Sequence, residues 1–116
     1  MSSDNQSAID ARVLERLFKV IESRKGASPD TSYTAKLLAG GAPLIGEKIT
    51  EEAAETVAAA LGEGNERLAA ESADLLYHLL VLWAEAGLNP DLVWAELARR
   101  EGTSGIAEKA ARPKKD

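Results

Sequence analysis

The chain has 116 residues, of which 45% are hydrophobic and 28% are charged, and its formal net charge is -5. This composition fits a single folded domain, and the acidic balance argues against a protein that coats nucleic acid. The chain has no cysteine and one histidine, which excludes disulfides, thiolate metal sites and a multi-histidine zinc site. A metal site would therefore be built mainly from oxygen ligands.

The beginning of the chain is polar, with no basic start followed by an apolar stretch, and no long uncharged span occurs anywhere. Neither a secretion signal nor a membrane-spanning helix is expected, and a cytoplasmic protein is the simplest interpretation. Residues 1–9 are predicted to be a disordered tail. A helical catalytic domain is predicted over 10–102 and a loosely docked arm over 103–116.

Apolar residues at helical spacing predict an all-α domain with four to five helices. The fold is expected to begin near Asp10, and helical spacing from Val13 predicts a first helix to about Arg24, followed by a turn-rich stretch and a short helical turn over 32–38. A glycine pair at 40 and 41 should then break the chain before the next helix. The remaining helices are predicted over residues 43–61, 65–86 and 89–100.

Residues 75–84 of the third long helix are apolar on nearly every face, which is typical of a helix that is buried all round. Three other short helices of one chain would not bury such a surface completely. An obligate homodimer is therefore expected, with further pairing of dimers left open.

The predicted second helix carries two acidic residues beside its apolar face. With successive residues about 100° apart, Glu52 falls at the edge of that face and Glu55 lies three residues further along the same strip. Lys48 shares the strip one turn earlier, and Glu51 lies slightly further round. Two carboxylates thus border the core on this helix.

The predicted third helix has a similar strip, formed by Glu71, Asp74 and His78. Antiparallel packing across the short turn at residues 62–64 should place the two strips opposite each other, so that four carboxylates converge. Such like charges are costly at the margin of a core without a cation, and clustered oxygen ligands suit Mg²⁺ or Mn²⁺. The alternative is that these acids form solvated helix faces.

Five blocks of the sequence follow one another in an order that is typical of one protein family. They comprise residues 14–25, 32–37, 48–55, 71–80 and 104–112. Together they resemble the phosphoribosyl-ATP pyrophosphohydrolase family of histidine biosynthesis, a branch of the all-alpha nucleotide pyrophosphohydrolases. The acidic pairs alone point to the superfamily, whereas Ser32-Tyr-Thr-Ala-Lys-Leu37 and Asp74-Leu-Leu-Tyr-His-Leu-Leu80 single out this branch.

The resemblance implies a cytoplasmic, Mg²⁺-dependent homodimer, for which Mn²⁺ is a possible substitute metal. The implied reaction is hydrolysis of 1-(5-phosphoribosyl)-ATP to 1-(5-phosphoribosyl)-AMP and pyrophosphate, the second step of L-histidine biosynthesis. Carried over by position, the metal ligands are Glu52, Glu55, Glu71 and Asp74.

Further residues are candidates for proton transfer and for substrate binding. Either Glu52 or its neighbour Glu51 is the candidate catalytic residue that accepts a proton from the attacking water, and the sequence does not decide between them. The candidate substrate-binding residues are Arg24, Lys36, Lys48 and His78. A lone histidine within an apolar helix is, however, more often a hydrogen-bonded core residue than a ligand.

Two alternative functions share part of this pattern. A house-cleaning pyrophosphohydrolase of (deoxy)nucleoside triphosphates would have the acidic cluster but not the block at residues 32–37. A non-catalytic helical dimerisation module would have solvated acids and no response to Mg²⁺. The sequence leaves the number of metal ions and the choice between dimer and tetramer open.

Overall fold

The computed structural model describes residues 8–113, apart from the side chain at position 108. Within that range the chain is all-helical, without strands, as predicted. The helices are α1 (Val13–Ser23), α2 (Tyr33–Gly62), α3 (Asn65–Ala86), α4 (Pro90–Arg100) and α5 (Gly105–Ala111). None of these described helices has both the length and the apolar character needed to cross a bilayer. Residues 1–7 of the predicted tail and 114–116 of the predicted arm lie outside the described range.

Helix α1 begins at Val13, the first residue of the predicted apolar pattern. The Asp10 carboxylate accepts hydrogen bonds from the backbone N–H of Arg12 at 2.9 Å and from its guanidinium, so this stretch forms a turn that precedes the helix. The buried face of α1 is formed by Phe18 and Ile21. This face directs α1 towards α3.

Helix α2 is longer than predicted because its first two turns are regular helix. It begins after Ser32, whose hydroxyl accepts a hydrogen bond from the backbone N–H of Ala35 at 3.1 Å. The predicted break is present as a kink at Gly41, where φ is 73° and ψ is -175°. A side chain is strongly disfavoured at such angles, so the glycine permits the change of direction. Pro43 follows at the start of the second segment, where a missing N–H is tolerated.

Helices α2 and α3 form the main contact of the fold, and the turn at Glu63 and Gly64 makes them antiparallel neighbours. The core lies between them and α1. Its most deeply buried large side chains are Ile21, Leu37, Ile45, Leu80 and Val81. This pairing fixes which residues of α2 face which residues of α3.

The remaining helices lie at the edge of this core. Asn89 caps α4 by accepting a hydrogen bond from the backbone N–H of Asp91 at 2.9 Å, and Trp94 packs edge-on against Trp83 of α3. Helix α5 lies within the predicted arm and begins at a Ser104 cap. Its described side chains are all exposed, and loose docking of the arm stays a prediction.

Candidate active site

Three of the predicted metal ligands lie together between α2 and α3. Glu52, Glu55 and Glu71 each offer a carboxylate oxygen, and these oxygens all lie within 4.8 Å of one another. Glu55 is exposed, Glu52 is half-buried and Glu71 is buried. We call this group the acidic cluster. One side of the acidic cluster is therefore buried at the interface between the helices, and the other side is exposed to solvent.

A threonine joins the two helices at the level of the acidic cluster. The Thr56 hydroxyl lies 2.7 Å from the backbone carbonyl oxygen of Glu52, one turn earlier in α2, and 3.2 Å from that of Glu71 in α3. Both partners are acceptors, so the hydroxyl shares its one proton between them. The contact holds the two backbones in register beside their carboxylates.

The Glu71 carboxylate is only 6% exposed, and it has a cationic neighbour from its own helix. The guanidinium of Arg67, one turn earlier, donates a hydrogen bond to Glu71 Oε2 and lies 3.6 Å from Glu63 Oε1. Burial of an unpaired carboxylate would be costly, so Arg67 offsets part of the negative charge at this edge of the cluster.

One carboxylate oxygen of Glu52 has no hydrogen-bond partner of this kind among the described residues. This atom, Oε2, is buried. Burial raises the pKa of Glu52 above its ordinary value, and the charges of Glu55 and Asp74 raise it further. An orphaned carboxylate oxygen among other carboxylates has the chemistry of an oxygen-ligand cation site. The residues present therefore fit a divalent metal ion.

Asp74, the fourth predicted ligand, is exposed and is not a member of the three-residue acidic cluster. The charge of Asp74 contributes to the raised pKa of Glu52. Its position on α3, three residues after Glu71, places it on the same side of the helix. Asp74 thus follows Glu71 by about one turn of α3.

His78 is buried, at 5% exposure, and both of its ring nitrogens have partners within the chain. Nδ1 lies 2.7 Å from the backbone carbonyl oxygen of Asp74, and Nε2 lies 3.0 Å from the hydroxyl of Tyr33. The Tyr77 ring packs edge-on against His78, and its hydroxyl bonds to Thr34. Sequence reasoning missed Tyr33, whose only signal was its place in the distinctive block at 32–37.

The other predicted site residues lie on α2 and at the end of α1. Lys48 Nζ is 3.8 Å from Glu51 Oε1, and Glu51 is exposed. Lys36 is exposed near the beginning of α2, and Arg24 directly follows the last turn of α1. Their contacts with a substrate stay predictions.

Comparison with known proteins identifies the family. The model of the family described as "Phosphoribosyl-ATP pyrophosphohydrolase" matches residues 14–101. A relative from Paramagnetospirillum magneticum named phosphoribosyl-ATP pyrophosphatase is 63% identical, with 93% of this chain and 99% of the relative covered. Relatives with the same name from Azospirillum brasilense and Rhodospirillum rubrum are 58% and 61% identical, with coverage of 92% and 88% of this chain and of 96% and 87% of the relatives. The chain therefore belongs to the phosphoribosyl-ATP pyrophosphohydrolase family and is an enzyme that hydrolyses a phosphoanhydride.

Proposed function

We propose that this enzyme hydrolyses 1-(5-phosphoribosyl)-ATP to 1-(5-phosphoribosyl)-AMP and pyrophosphate with the help of Mg²⁺ at the acidic cluster. The reaction and its place in histidine biosynthesis follow from membership of the family and from relatives of that name at 58 to 63% identity over most of the chain. The observation that carries the proposal for the site is the convergence of Glu52, Glu55 and Glu71 within 4.8 Å.

Four carboxylates would hold the metal in this proposal. They are Glu52, Glu55, Glu71 and Asp74. The unpartnered Oε2 of Glu52 supports it, since a cation would supply the partner that the described residues do not. Oxygen ligands favour Mg²⁺, with Mn²⁺ as a possible substitute. The bound metal would stabilise negative charge on the pyrophosphate leaving group and lower the pKa of a water molecule.

The chain's own side chains would then bind the phosphates and move the proton. Lys48, Lys36 and Arg24 are proposed to contact phosphate oxygens, because they are cations within the matching blocks of a chain that is acidic overall. Glu52 and Glu51 are proposed as alternative acceptors of the proton from the attacking water.

We further propose a homodimer in the cytoplasm, with no nucleic-acid or membrane partner. Large apolar side chains remain exposed on the two site helices of a single chain: Val57 is 58% exposed, Leu61 is 83% exposed and Leu76 is 45% exposed. A two-fold contact through these helices would cover such side chains. Further pairing into tetramers is a separate outcome of the same measurement.

The test is a substrate panel. The purified protein is incubated with phosphoribosyl-ATP and with ribo- and deoxyribonucleoside triphosphates, with Mg²⁺ or with a chelator, while pyrophosphate release is followed. Rapid release from phosphoribosyl-ATP alone, and only with the metal, is expected. Preferred release from a deoxyribonucleoside triphosphate would instead identify a house-cleaning enzyme. Absence of turnover and of any thermal shift with Mg²⁺ would leave a non-catalytic module.

A further inference from the structure

The hydrogen bonds of His78 determine what its neighbour Tyr33 can offer to a ligand. The Nδ1 atom lies 2.7 Å from the backbone carbonyl oxygen of Asp74. A carbonyl oxygen only accepts, so Nδ1 carries the proton of this hydrogen bond. In the neutral ring, Nε2 is then an acceptor, and the Tyr33 hydroxyl at 3.0 Å donates to it.

Both ring nitrogens of His78 contact uncharged groups. His78 is 5% exposed, and its two hydrogen-bond partners are an uncharged carbonyl and an uncharged phenol. The rings of Tyr77 and Tyr33 approach it edge-on, at centroid distances of 5.3 and 6.0 Å. The neutral ring with its proton on Nδ1 satisfies both contacts.

Tyr33 is placed to meet a substrate as well. It is 52% exposed, unlike the buried His78 behind it. It is also electrostatically coupled to the site: partial burial raises the pKa of Tyr33, Lys48 opposes this, and the charges of Glu52 and Glu51 add to it. The hydroxyl of Tyr33 is therefore held by a buried residue of α3, while the side chain as a whole is half exposed.

The one proton of this hydroxyl is already committed to His78, so the oxygen can only accept a further hydrogen bond. Phosphate oxygens of a nucleotide at neutral pH are acceptors and offer no proton to it. Sugar hydroxyls and an amino nitrogen of the base do. We propose that Tyr33 accepts a hydrogen bond from the nucleoside part of the substrate and that His78 is a positioning residue that keeps Tyr33 an acceptor. This inference rests on the proposed function and deepens it.

The decisive variant is Tyr33→Phe, which removes the oxygen and keeps the ring. Loss of one hydrogen bond made equally in the ground and transition states raises KM and leaves kcat unchanged. An increase in KM for phosphoribosyl-ATP of about five- to tenfold is expected. The matched control is Tyr77→Phe, since the hydroxyl of Tyr77 bonds to Thr34 instead of His78. This control should keep the KM of the wild type.

Two further measurements separate the proposal from its competitors. Inhibition by pyrophosphate should be the same for the wild type and Tyr33→Phe, and a parallel loss of that inhibition would show that Tyr33 donates to phosphate and overturn the proposal. A substrate analogue without ribose hydroxyls identifies the donor. If a hydroxyl donates, Tyr33→Phe adds no further change with this analogue. If the amino nitrogen donates, the variant raises KM for both substrates.

The role of His78 is tested through Tyr33. His78→Leu removes the acceptor and should raise KM as Tyr33→Phe does. His78→Gln supplies an amide oxygen as an acceptor and should restore part of the lost affinity. In the Tyr33→Phe background, His78→Leu should change KM less than twofold, because the hydroxyl that it positions is already absent. If the leucine variant does not fold, the Tyr33 and Tyr77 pair still decides. An unchanged KM in Tyr33→Phe overturns the inference, whereas undiminished turnover after Glu55→Ala overturns the proposed metal site.

Discussion

At the scale of single residues, the acidic cluster is an arrangement that the chain tolerates rather than one that stabilises it. Glu52 combines an unpartnered buried oxygen with a raised pKa, and Glu55 and Glu71 add negative charge within 4.8 Å. In the absence of a cation, each ionised carboxylate raises the free energy of the folded state through repulsion of its neighbours. Stability and metal binding are therefore opposed at these positions.

Replacement of Glu55 or Asp74 by Ala should abolish turnover and leave the fold intact. The stability of the metal-free protein should stay level or rise, because the substitution relieves repulsion around Glu52. Thermal unfolding with chelator and with Mg²⁺, together with the pyrophosphate assay, checks both parts. Glu66→Gln, an acidic position in the first turn of α3, is the control that should keep activity. Near wild-type turnover by either alanine variant with Mg²⁺ present would refute the metal assignment.

Thr56 gives a second prediction at this scale. Thr56→Val removes the hydroxyl that reaches the carbonyls of both Glu52 and Glu71. The matched control is Thr50→Val, because the Thr50 hydroxyl bonds only to Gly46, one turn earlier in its own helix. Thr56→Val should cost about 1 kcal/mol more than the control, or roughly 4 °C in Tm. Equal losses in the two variants would mean that the contact with α3 contributes nothing.

At the scale of elements, the kink in α2 separates the segment that carries Tyr33 from the segment that carries Glu52 and Glu55. Gly41 adopts φ 73° and ψ -175°, whereas Gly46 lies in regular helix and a Cβ there would meet nothing within 4 Å. The two glycines of one helix thus have opposite requirements. One supplies a conformation that other residues adopt only with strain, and the other only weakens the helix.

Gly41→Ala should therefore destabilise the protein by about 1–3 kcal/mol, and Gly46→Ala should stabilise it by up to about 1 kcal/mol. Chemical denaturation of both variants measures the difference. If Gly41→Ala were as stable as the wild type, the kink would not be a fixed feature of the fold. The KM of the Gly41→Ala variant is informative too, since a shift of the first segment of α2 would displace Tyr33.

Much of this architecture was predictable from periodicity and turn residues. The helix that carries Glu71 was expected over 65–86, as found, although the predicted cap was wrong: Gly64 and not Asn65 is the N-cap, and Gly87 ends the helix. The pairing of Tyr33 with His78 was not predictable, since the two residues are 45 positions apart. Such contacts depend on how far each helix rotates about its axis when it packs, which a single sequence does not specify. The contact of the Thr56 hydroxyl with the carbonyl oxygen of Glu71 was not predictable for the same reason.

At the scale of the whole molecule, one chain covers part of the apolar surface of α3 and leaves part exposed. Leu80 is 1% exposed within the chain's own core, whereas Leu76 on the same helix is 45% exposed. Substitutions at these two positions therefore report different properties. A charge at position 80 tests folding, and a charge at position 76 tests assembly.

Leu80→Glu should give an unfolded or aggregated chain, or a weakly folded monomer with little activity, because the charge would be buried without a counter-ion. Leu76→Glu should keep its helical circular dichroism and sediment as a smaller species than the wild type. Sedimentation velocity distinguishes these outcomes. A wild-type protein that sediments as a compact, active monomer at micromolar concentration would contradict the proposed dimer.

The short turn at Glu63 and Gly64 has a consequence for the order of events during folding. It confines the four acids to the interval from residue 52 to residue 74, so the site depends on contacts between near neighbours in the chain, which form rapidly. If this helical hairpin is already paired in the folding transition state, repulsion among its carboxylates slows folding. Mg²⁺ should then accelerate refolding in stopped-flow experiments, and the gain should disappear in Glu55→Ala. Stabilisation that appeared only as slower unfolding would place the assembly of the site after the rate-limiting step.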